Sequence, residues 1–416
     1  MSTLERGPAP SEAADVPQPP EDGAPAAVPG PREALRRLAQ GELGSLRVLI
    51  VLAIVWIVFA IAHDRFLTAV NLTNLALQIA AVGTISIGVV LVLLLGEIDL
   101  SVGAVSGLAA AVMASLSAKA GWPAVPAILA GLGTGAAIGL FQGTVTTRLE
   151  IQSFVVTLAG LLGWQGALLA VLGNTGTVNL TAPGIVDLAN TFYADEVGWV
   201  IAALAVAAIV GLALLNRRRR TRAGLGAEPL AALGLRLAAA TVAIVGTVAI
   251  LNADRGVPLA LLILVGLVVL VDALATRTVF GRHIYAVGGN TEATRRAGVG
   301  VASLRTMVFV LASTLAAAGG ILEASRLLAV NQSSGGGDLL LLAIAGPVIA
   351  GVSLFGGRGR VWAALLGALV IGSISNGMDL LALESSVKFM VTGGVLLAAV
   401  ALDALARKRR RAHGRI

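Results

Sequence analysis

Residues 75–95 read LALQIAAVGTISIGVVLVLLL, a stretch of 21 residues without a charged side chain. At 1.5 Å per residue, a helix of this length spans about 30 Å, the thickness of the hydrocarbon core of a bilayer. Its last seven residues, VVLVLLL at 89–95, are all apolar, whereas a strand of a membrane barrel alternates apolar and polar residues. This stretch therefore predicts a transmembrane helix.

The rest of the chain repeats this pattern. Of the 416 residues, 57% are apolar and 13% are charged, against about 45–50% and 25% in soluble domains. One soluble core could not bury so much apolar surface. We therefore predict an all-α, polytopic transmembrane bundle of about twelve helices. The predicted spans are residues 45–62, 75–95, 100–118, 123–145, 151–172, 198–215, 233–251, 257–275, 303–322, 339–354, 361–377 and 387–405.

The basic residues predict the orientation of these spans, because Lys and Arg are enriched in cytoplasmic loops. If the N-terminus is cytoplasmic and twelve helices alternate, 25 of the 30 Lys and Arg lie in cytoplasmic segments. We therefore expect both termini, and the arginine-rich segment 217–222, on the cytoplasmic side. The formal charge of +7 then reflects orientation and not nucleic-acid binding.

Two tails flank the predicted membrane domain, which comprises residues 45–405. The first 31 residues hold 8 of the 14 prolines, and such a composition is typical of disorder. We expect residues 1–44 to form a disordered cytoplasmic tail and residues 406–416 to form a basic one. The chain has no Cys and only three His, so we expect neither a metal site nor a resident cofactor.

Polar residues interrupt the apolar runs at GEIDLSVG, residues 96–103. One interpretation is that Asp99 or Ser101 caps the N-terminus of the following helix, since a carboxylate or hydroxyl oxygen accepts from its free N–H groups. Alternatively, Glu97, Asp99 and Ser101 line a translocation path, because a non-helical segment at membrane depth must line a cavity or be buried in protein. Both interpretations remain open at this point.

Two further polar segments lie in predicted cytoplasmic loops. Within the loop 276–305 the sequence predicts a short helix that is either solvated or docks a partner. Its determinants are an N-cap, an acidic first turn, a basic last turn and a terminating glycine, namely Asn290, Glu292, Arg295, Arg296 and Gly298. The turn SLFGGRGR at 353–360 either anchors to lipid phosphates through its arginines or contacts a cytoplasmic partner.

The sequence resembles the membrane permeases of bacterial ABC monosaccharide importers, the ribose/xylose/arabinose class, over about residues 45–405. The similar segments are GEIDLSVG at 96–103, QSFVVTLAGLLGWQG at 152–166, FGRHIYAVGGNTEATRRAGV at 280–299, GGILEASRL at 319–327, SLFGGRGR at 353–360 and SNGMDLL at 375–381. Within this class the xylose branch is the most similar, through LNADRGVP at 251–258 and the added basic loop and span near 216–251.

The resemblance implies the fold of a type II importer permease in the bacterial cytoplasmic membrane. Two copies of the permease would form the path, cytoplasmic ATPases would dock on the loop 276–305, and an extracytoplasmic binding protein would deliver the sugar. The chain has no Walker motif, so it would not be an enzyme, and ATP would bind to the partner. The implied path residues are Glu97, Asp99, Ser101 and Asn376.

One segment departs from this class. Relatives have a Glu–Leu–Asp triplet after the glycine-rich turn, and here only Asp338 corresponds to it. An ion-coupled secondary transporter is the alternative function, but its spans would carry ionisable groups, which are nearly absent from the predicted spans. A membrane-embedded enzyme is disfavoured in the same way, because no cluster of carboxylates or histidines is visible.

Overall fold

The computed structural model describes residues 44–226 and 229–412. The predicted N-terminal tail lies outside the described residues except for Gly44, and so do residues 413–416. Residues 406–412 continue the last helix, because their Ala, Arg and Lys residues favour helix.

The described residues contain fifteen α-helices, one short 3-10 helix at Gly173–Thr175 and four short strands. The helices are α1 Gly44–Ala62, α2 Ala69–Leu94, α3 Val102–Ala118, α4 Ala124–Arg148, α5 Ser153–Leu172, α6 Pro183–Asn190, α7 Asp195–Arg222, α8 Leu230–Asn252, α9 Leu259–Arg277, α10 Val279–Gly289, α11 Thr291–Arg296, α12 Val301–Leu327, α13 Gly337–Ile349, α14 Trp362–Leu380 and α15 Ser385–Ala412. The strands are β1 Thr177–Asn179, β2 Phe192–Tyr193, β3 Val257–Pro258 and β4 Ala329–Asn331.

Each of the twelve predicted spans coincides with a helix, which confirms the helical bundle. Within the described residues, eight helices are long and apolar enough to cross a membrane: α2, α4, α5, α7, α8, α9, α12 and α14. The other four spans coincide with shorter apolar helices, at residues 48–62, 102–118, 337–349 and 385–398. Of these, α3 and α13 are short because each begins after a non-helical segment.

The connecting segments gather at two opposite ends of the bundle. At one end β1 pairs antiparallel with β4, and β2 pairs with β3. The Lys119 ammonium, after α3, donates to Leu172 O at the end of α5 (2.8 Å). At the other end the segment 95–101 meets the start of α12 through Arg305. This alternation agrees with the one predicted from the basic residues.

Close backbone packing holds the centre together. In the central helices α2 and α12, 89% and 67% of an apolar stretch of 18 residues is buried inside the protein. Against α12 lies a face of α4 with glycine at every fourth position, including Gly135 and Gly139. A Cβ added at Gly139 would lie 2.4 Å from Phe309 O. Small residues of this kind allow transmembrane helices to approach closely.

Helices α7 and α8 form a peripheral hairpin. In each of these two helices, only 11% of the apolar 18-residue stretch is buried inside the protein. Their main contact with the bundle is a small apolar cluster in which Ala202, Val248 and Leu251 pack against Ala76 and Val257. This hairpin contains the basic loop and the span near 216–251 that the sequence analysis singled out.

Candidate functional site

The three polar segments singled out in the sequence meet at one end of the bundle. Gly357 N donates a hydrogen bond to Leu94 O at the end of α2 (2.9 Å). A Cβ added at Gly288, near the end of α10, would lie 1.9 Å from the same Leu94 O. Gly96 lies against Gly356. We call this backbone contact, formed by Leu94, Gly96, Gly288, Gly356 and Gly357, the glycine junction.

A tyrosine holds the glycine-rich turn at this junction. The Tyr285 hydroxyl, on α10, donates to Gly359 O (3.0 Å). Burial and the charge of Asp272 raise the pKa of Tyr285, while Arg360 lowers it. A tyrosine hydroxyl is protonated at neutral pH even without this shift, so it is a donor here, and the raised pKa extends that state to more alkaline pH. The turn 353–360 therefore binds to the loop 276–305 through side chain and backbone together.

Glu97 links three segments beside the junction. Its Oε1 accepts from Arg305 Nη2 on α12 (3.0 Å), and its Oε2 accepts from Ser153 Oγ on α5 (2.6 Å). The side chains of Glu97 and Arg305 are 13% and 26% exposed. Both border a cavity of about 830 Å³ that Arg295 of α11 also lines. Glu97 is thus a structural link and faces a cavity as well.

Asp99 and Ser101 are buried inside the subunit. Ser101 donates to Asp99 Oδ1 from its backbone N (2.8 Å) and from its hydroxyl (2.7 Å). Gln142 Nε2 donates to Ser101 Oγ (2.8 Å). The N-cap of α3 is Ser101, without a side-chain cap bond, because its hydroxyl is already engaged. Asp99 therefore closes the turn before the helix, and neither side chain caps α3 in the way that the sequence suggested.

Exchanging Asp99 tests whether this turn needs an acceptor or a charge. Asp99→Asn retains an oxygen acceptor for Ser101, so we expect near-normal thermal stability. Asp99→Ala leaves the buried Ser101 N–H unsatisfied and should destabilise the purified protein by about 1–3 kcal/mol. Thermal unfolding in detergent would compare the two variants. Equal stability of both would contradict a role as acceptor.

The structure does not bring Asn376 close to Glu97, Asp99 and Ser101. Its Oδ1 accepts from Asn71 Nδ2 (2.8 Å) near the start of α2, whereas the glycine junction lies at the end of that helix. These positions are about 35 Å apart along the helix. Asn376 is also buried, so it links α2 and α14 at the opposite end of the bundle.

The predicted helix in the loop 276–305 is present as α11, with the expected terminal residues. Ala293 N donates to Asn290 Oδ1 (2.9 Å), and Gly298 ends the helix with φ +83°. Glu292 pairs with Arg296 (3.1 Å) and more distantly with Arg295 (3.9 Å). All three charged side chains are well exposed, so they are free to contact a partner.

Several contributors were not recognised in the sequence. Ser153 and Thr157 lie within the quoted segment 152–166, but their partners, Glu97 and Leu100 N, are more than 50 positions away. Arg305 was counted only as a determinant of orientation. A polar residue within the first five residues of an apolar helix was the available signal for both Ser153 and Arg305.

A second non-helical segment, residues 332–336, includes the glycine-rich turn before Asp338, and its position in the bundle was not predicted. A Cβ at Gly107 would lie 2.2 Å from Ser334 O, and one at Gly335 would lie 2.1 Å from Gly103 O. Gln165 Nε2, on α5, donates to Gln332 O (2.9 Å). The segment therefore enters the bundle between α3 and α5.

Comparisons with known proteins agree with this architecture. A family model described as branched-chain amino acid transport system, permease component, matches residues 71–400. The xylose transport system permease protein XylH of Escherichia coli is 36% identical over 344 residues, which is 83% of this chain and 87% of the relative. XylH of Haemophilus influenzae is 34% identical over 87% of this chain and 96% of its own length.

More distant relatives match over a similar length. The ribose import permease protein RbsC of Escherichia coli is 32% identical over 369 residues, which is 88% of this chain and 96% of the relative. No solved structure gives a significant match. The matched region, residues 71–400, covers ten of the twelve predicted spans in full and most of the last one, so the chain belongs to the family of transport-system permease components.

Proposed function

We propose that the chain is the membrane-spanning permease subunit of an ATP-driven, binding-protein-dependent importer for xylose or a similar monosaccharide. The observation that carries this proposal is the similarity to xylose and ribose permeases over more than four fifths of the chain. The subunit forms the path in the bacterial cytoplasmic membrane and is not itself an enzyme. ATP is bound by a partner ATPase, and a second copy of the chain completes the path.

The glycine junction supports a coupling role for the loop 276–305. The exposed helix α11 is joined to the bundle on both sides, by Gly288 at the end of α10 and by Arg305 at the start of α12. Both contacts reach the segment 94–97. A force applied to α11 by an ATPase would therefore act on the connection between α2 and α3.

Uptake by a reconstituted system tests the function. We expect proteoliposomes containing the permease and its ATPase, supplied with the binding protein, to take up xylose only when ATP is present on the ATPase side. A protonophore or a sodium gradient should leave the rate unchanged. Uptake that requires an ion gradient and proceeds without ATP would instead establish the secondary transporter.

Reversing the charge of the last turn of α11 tests ATPase docking. We expect Arg295→Glu with Arg296→Glu to reduce co-purification of the ATPase, and more so at low salt, where charges are screened less. Exposed pairs contribute only about 0.2–1 kcal/mol each, so both arginines are changed together. Arg295→Lys with Arg296→Lys, which keeps both positive charges, is the control. Unchanged ATPase recovery at both salt concentrations would contradict the docking role.

The orientation can be tested on a chain without native cysteine. We expect a Thr181→Cys variant to react with a membrane-impermeant thiol reagent in intact cells and an Ala223→Cys variant to react only after lysis. Both positions are exposed, and they lie at opposite ends of the bundle. Labelling of Ala223→Cys from outside would show that the positive-inside orientation is wrong for this chain.

A further inference from the structure

The segment 332–336 lies at membrane depth. Helix α13, which follows it, has 13 residues and is about 20 Å long, too short to cross the hydrocarbon core. Gln165, which binds Gln332 O, lies seven residues before the end of α5 and therefore about 10 Å below it. The backbone of the segment is held against α3 at Gly103 and Gly107.

Polar side chains lie in and beside the segment 332–336. Gln332, Ser333 and Asp338 are exposed in the single subunit, and Gln165 is half-buried beside them. Within the described part of the chain, the Gln332 amide and the Asp338 carboxylate make no hydrogen bond or ion pair. Exposing such polar groups to lipid hydrocarbon would cost free energy, because lipid offers them no hydrogen-bond partner. The face that they form is therefore suited to water.

The chemistry of this face matches a neutral ligand with many hydroxyl groups. Where β1 begins and β4 ends lies an open recess of about 560 Å³, lined by Thr175, Gly176, Thr177, Asn331, Gln332 and Ser333. Apart from Gly176, these residues carry amides or hydroxyls, which donate to and accept from sugar hydroxyls alike. Asp338, in the first turn of α13, adds a carboxylate acceptor a few residues further along the chain. Neither Arg nor Lys lines the recess, so it does not favour an anion.

From this placement we propose that Gln165, Gln332, Ser333 and Asp338 line the sugar path through the outer half of the membrane. The identity of the cargo as a sugar rests on the proposed function. Asp99, Ser101 and Asn376, by contrast, are buried between helices, where a passing sugar would not reach them.

Cysteine reactivity of the reconstituted complex of permease, ATPase and binding protein tests this path without any sugar. We expect Gln165→Cys and Ser333→Cys to react with a charged, water-soluble methanethiosulfonate about tenfold faster than Leu204→Cys, because a thiolate forms readily only in water. Leu204 is 66% exposed on the peripheral helix α7, so it is the matched lipid-facing control. Equal rates at Gln165 and Leu204 would overturn the proposal.

Protection by sugar distinguishes the path from the cargo. Xylose at a concentration near its Kd for the complex is expected to slow labelling of Gln165→Cys about twofold, because half of the sites are then occupied. A sugar that the complex does not import should have no effect. Fast labelling with no protection by any monosaccharide would support a water-filled path and would contradict the proposal that its cargo is a sugar. Slow labelling in a complex that still imports xylose would contradict this path and leave the transport function intact.

Discussion

Gly288→Ala is expected to abolish sugar uptake and to destabilise the permease by about 2–5 kcal/mol, combining overpacking with the loss of a buried backbone hydrogen bond. The added methyl group would lie 1.9 Å from Leu94 O and 2.6 Å from Gly357 N. Both atoms belong to backbone and already bind each other, so neither can move aside independently. The glycine junction would have to open.

The neighbouring glycine provides the control. A Cβ added at Gly289 meets nothing within 4 Å, and alanine favours helix over glycine. Gly289→Ala should therefore keep both stability and uptake. The two variants would be compared by thermal unfolding in detergent and by ATP-driven uptake. Normal uptake by Gly288→Ala would show that the close contact at Leu94 is not required.

Breaking the Glu97–Arg305 pair is expected to have the second-largest effect. Arg305→Gln leaves a largely buried carboxylate with Ser153 as its remaining partner, which should cost about 1.5–3 kcal/mol, as for other hydrogen bonds to charged groups. Because the pair joins the start of α12 to the segment 95–101, we also expect reduced sugar uptake. Thermal unfolding and uptake would both be measured.

A double-mutant cycle isolates this pair. Combining Arg305→Gln with Glu97→Gln should give a coupling free energy of about 0.5–3 kcal/mol. The exposed pair of Glu292 and Arg296, at the comparable distance of 3.1 Å, should give only about 0.3–0.5 kcal/mol. Equal coupling energies for the two pairs would refute the importance of burial at Glu97.

Much of the bundle could be predicted because its determinants are local. An apolar run of sufficient length specifies a membrane helix by itself, and the Asn290 cap needs only residues within one helical turn. The basic residues also predicted an alternation of ends that the contacts of Lys119 and Arg305 reproduce. The lengths of α3 and α13 are less directly readable from the sequence, because each follows a non-helical segment that shortens it.

The candidate site was only partly predictable because its contacts are remote in sequence. Three polar segments were recognised, but their meeting at Leu94 depends on how α2, α10 and the turn 353–360 pack together. A capping role for Asp99 or Ser101 was one of two interpretations left open on local grounds, and the Ser101 hydroxyl that Asp99 binds is held by Gln142, 41 positions away. The depth of Gln332 likewise depends on α5, more than 160 positions earlier.

The peripheral position of the α7–α8 hairpin has a consequence for how such a chain can evolve. Two helices that enter and leave together preserve the sidedness of everything that follows them, whereas the loss of one would carry α11 to the opposite face of the membrane. Few core contacts depend on this hairpin, because its burial is slight. It can therefore be gained, lost or exchanged as a unit, and selection can change the lipid-facing outline of the permease without altering its inner mechanism.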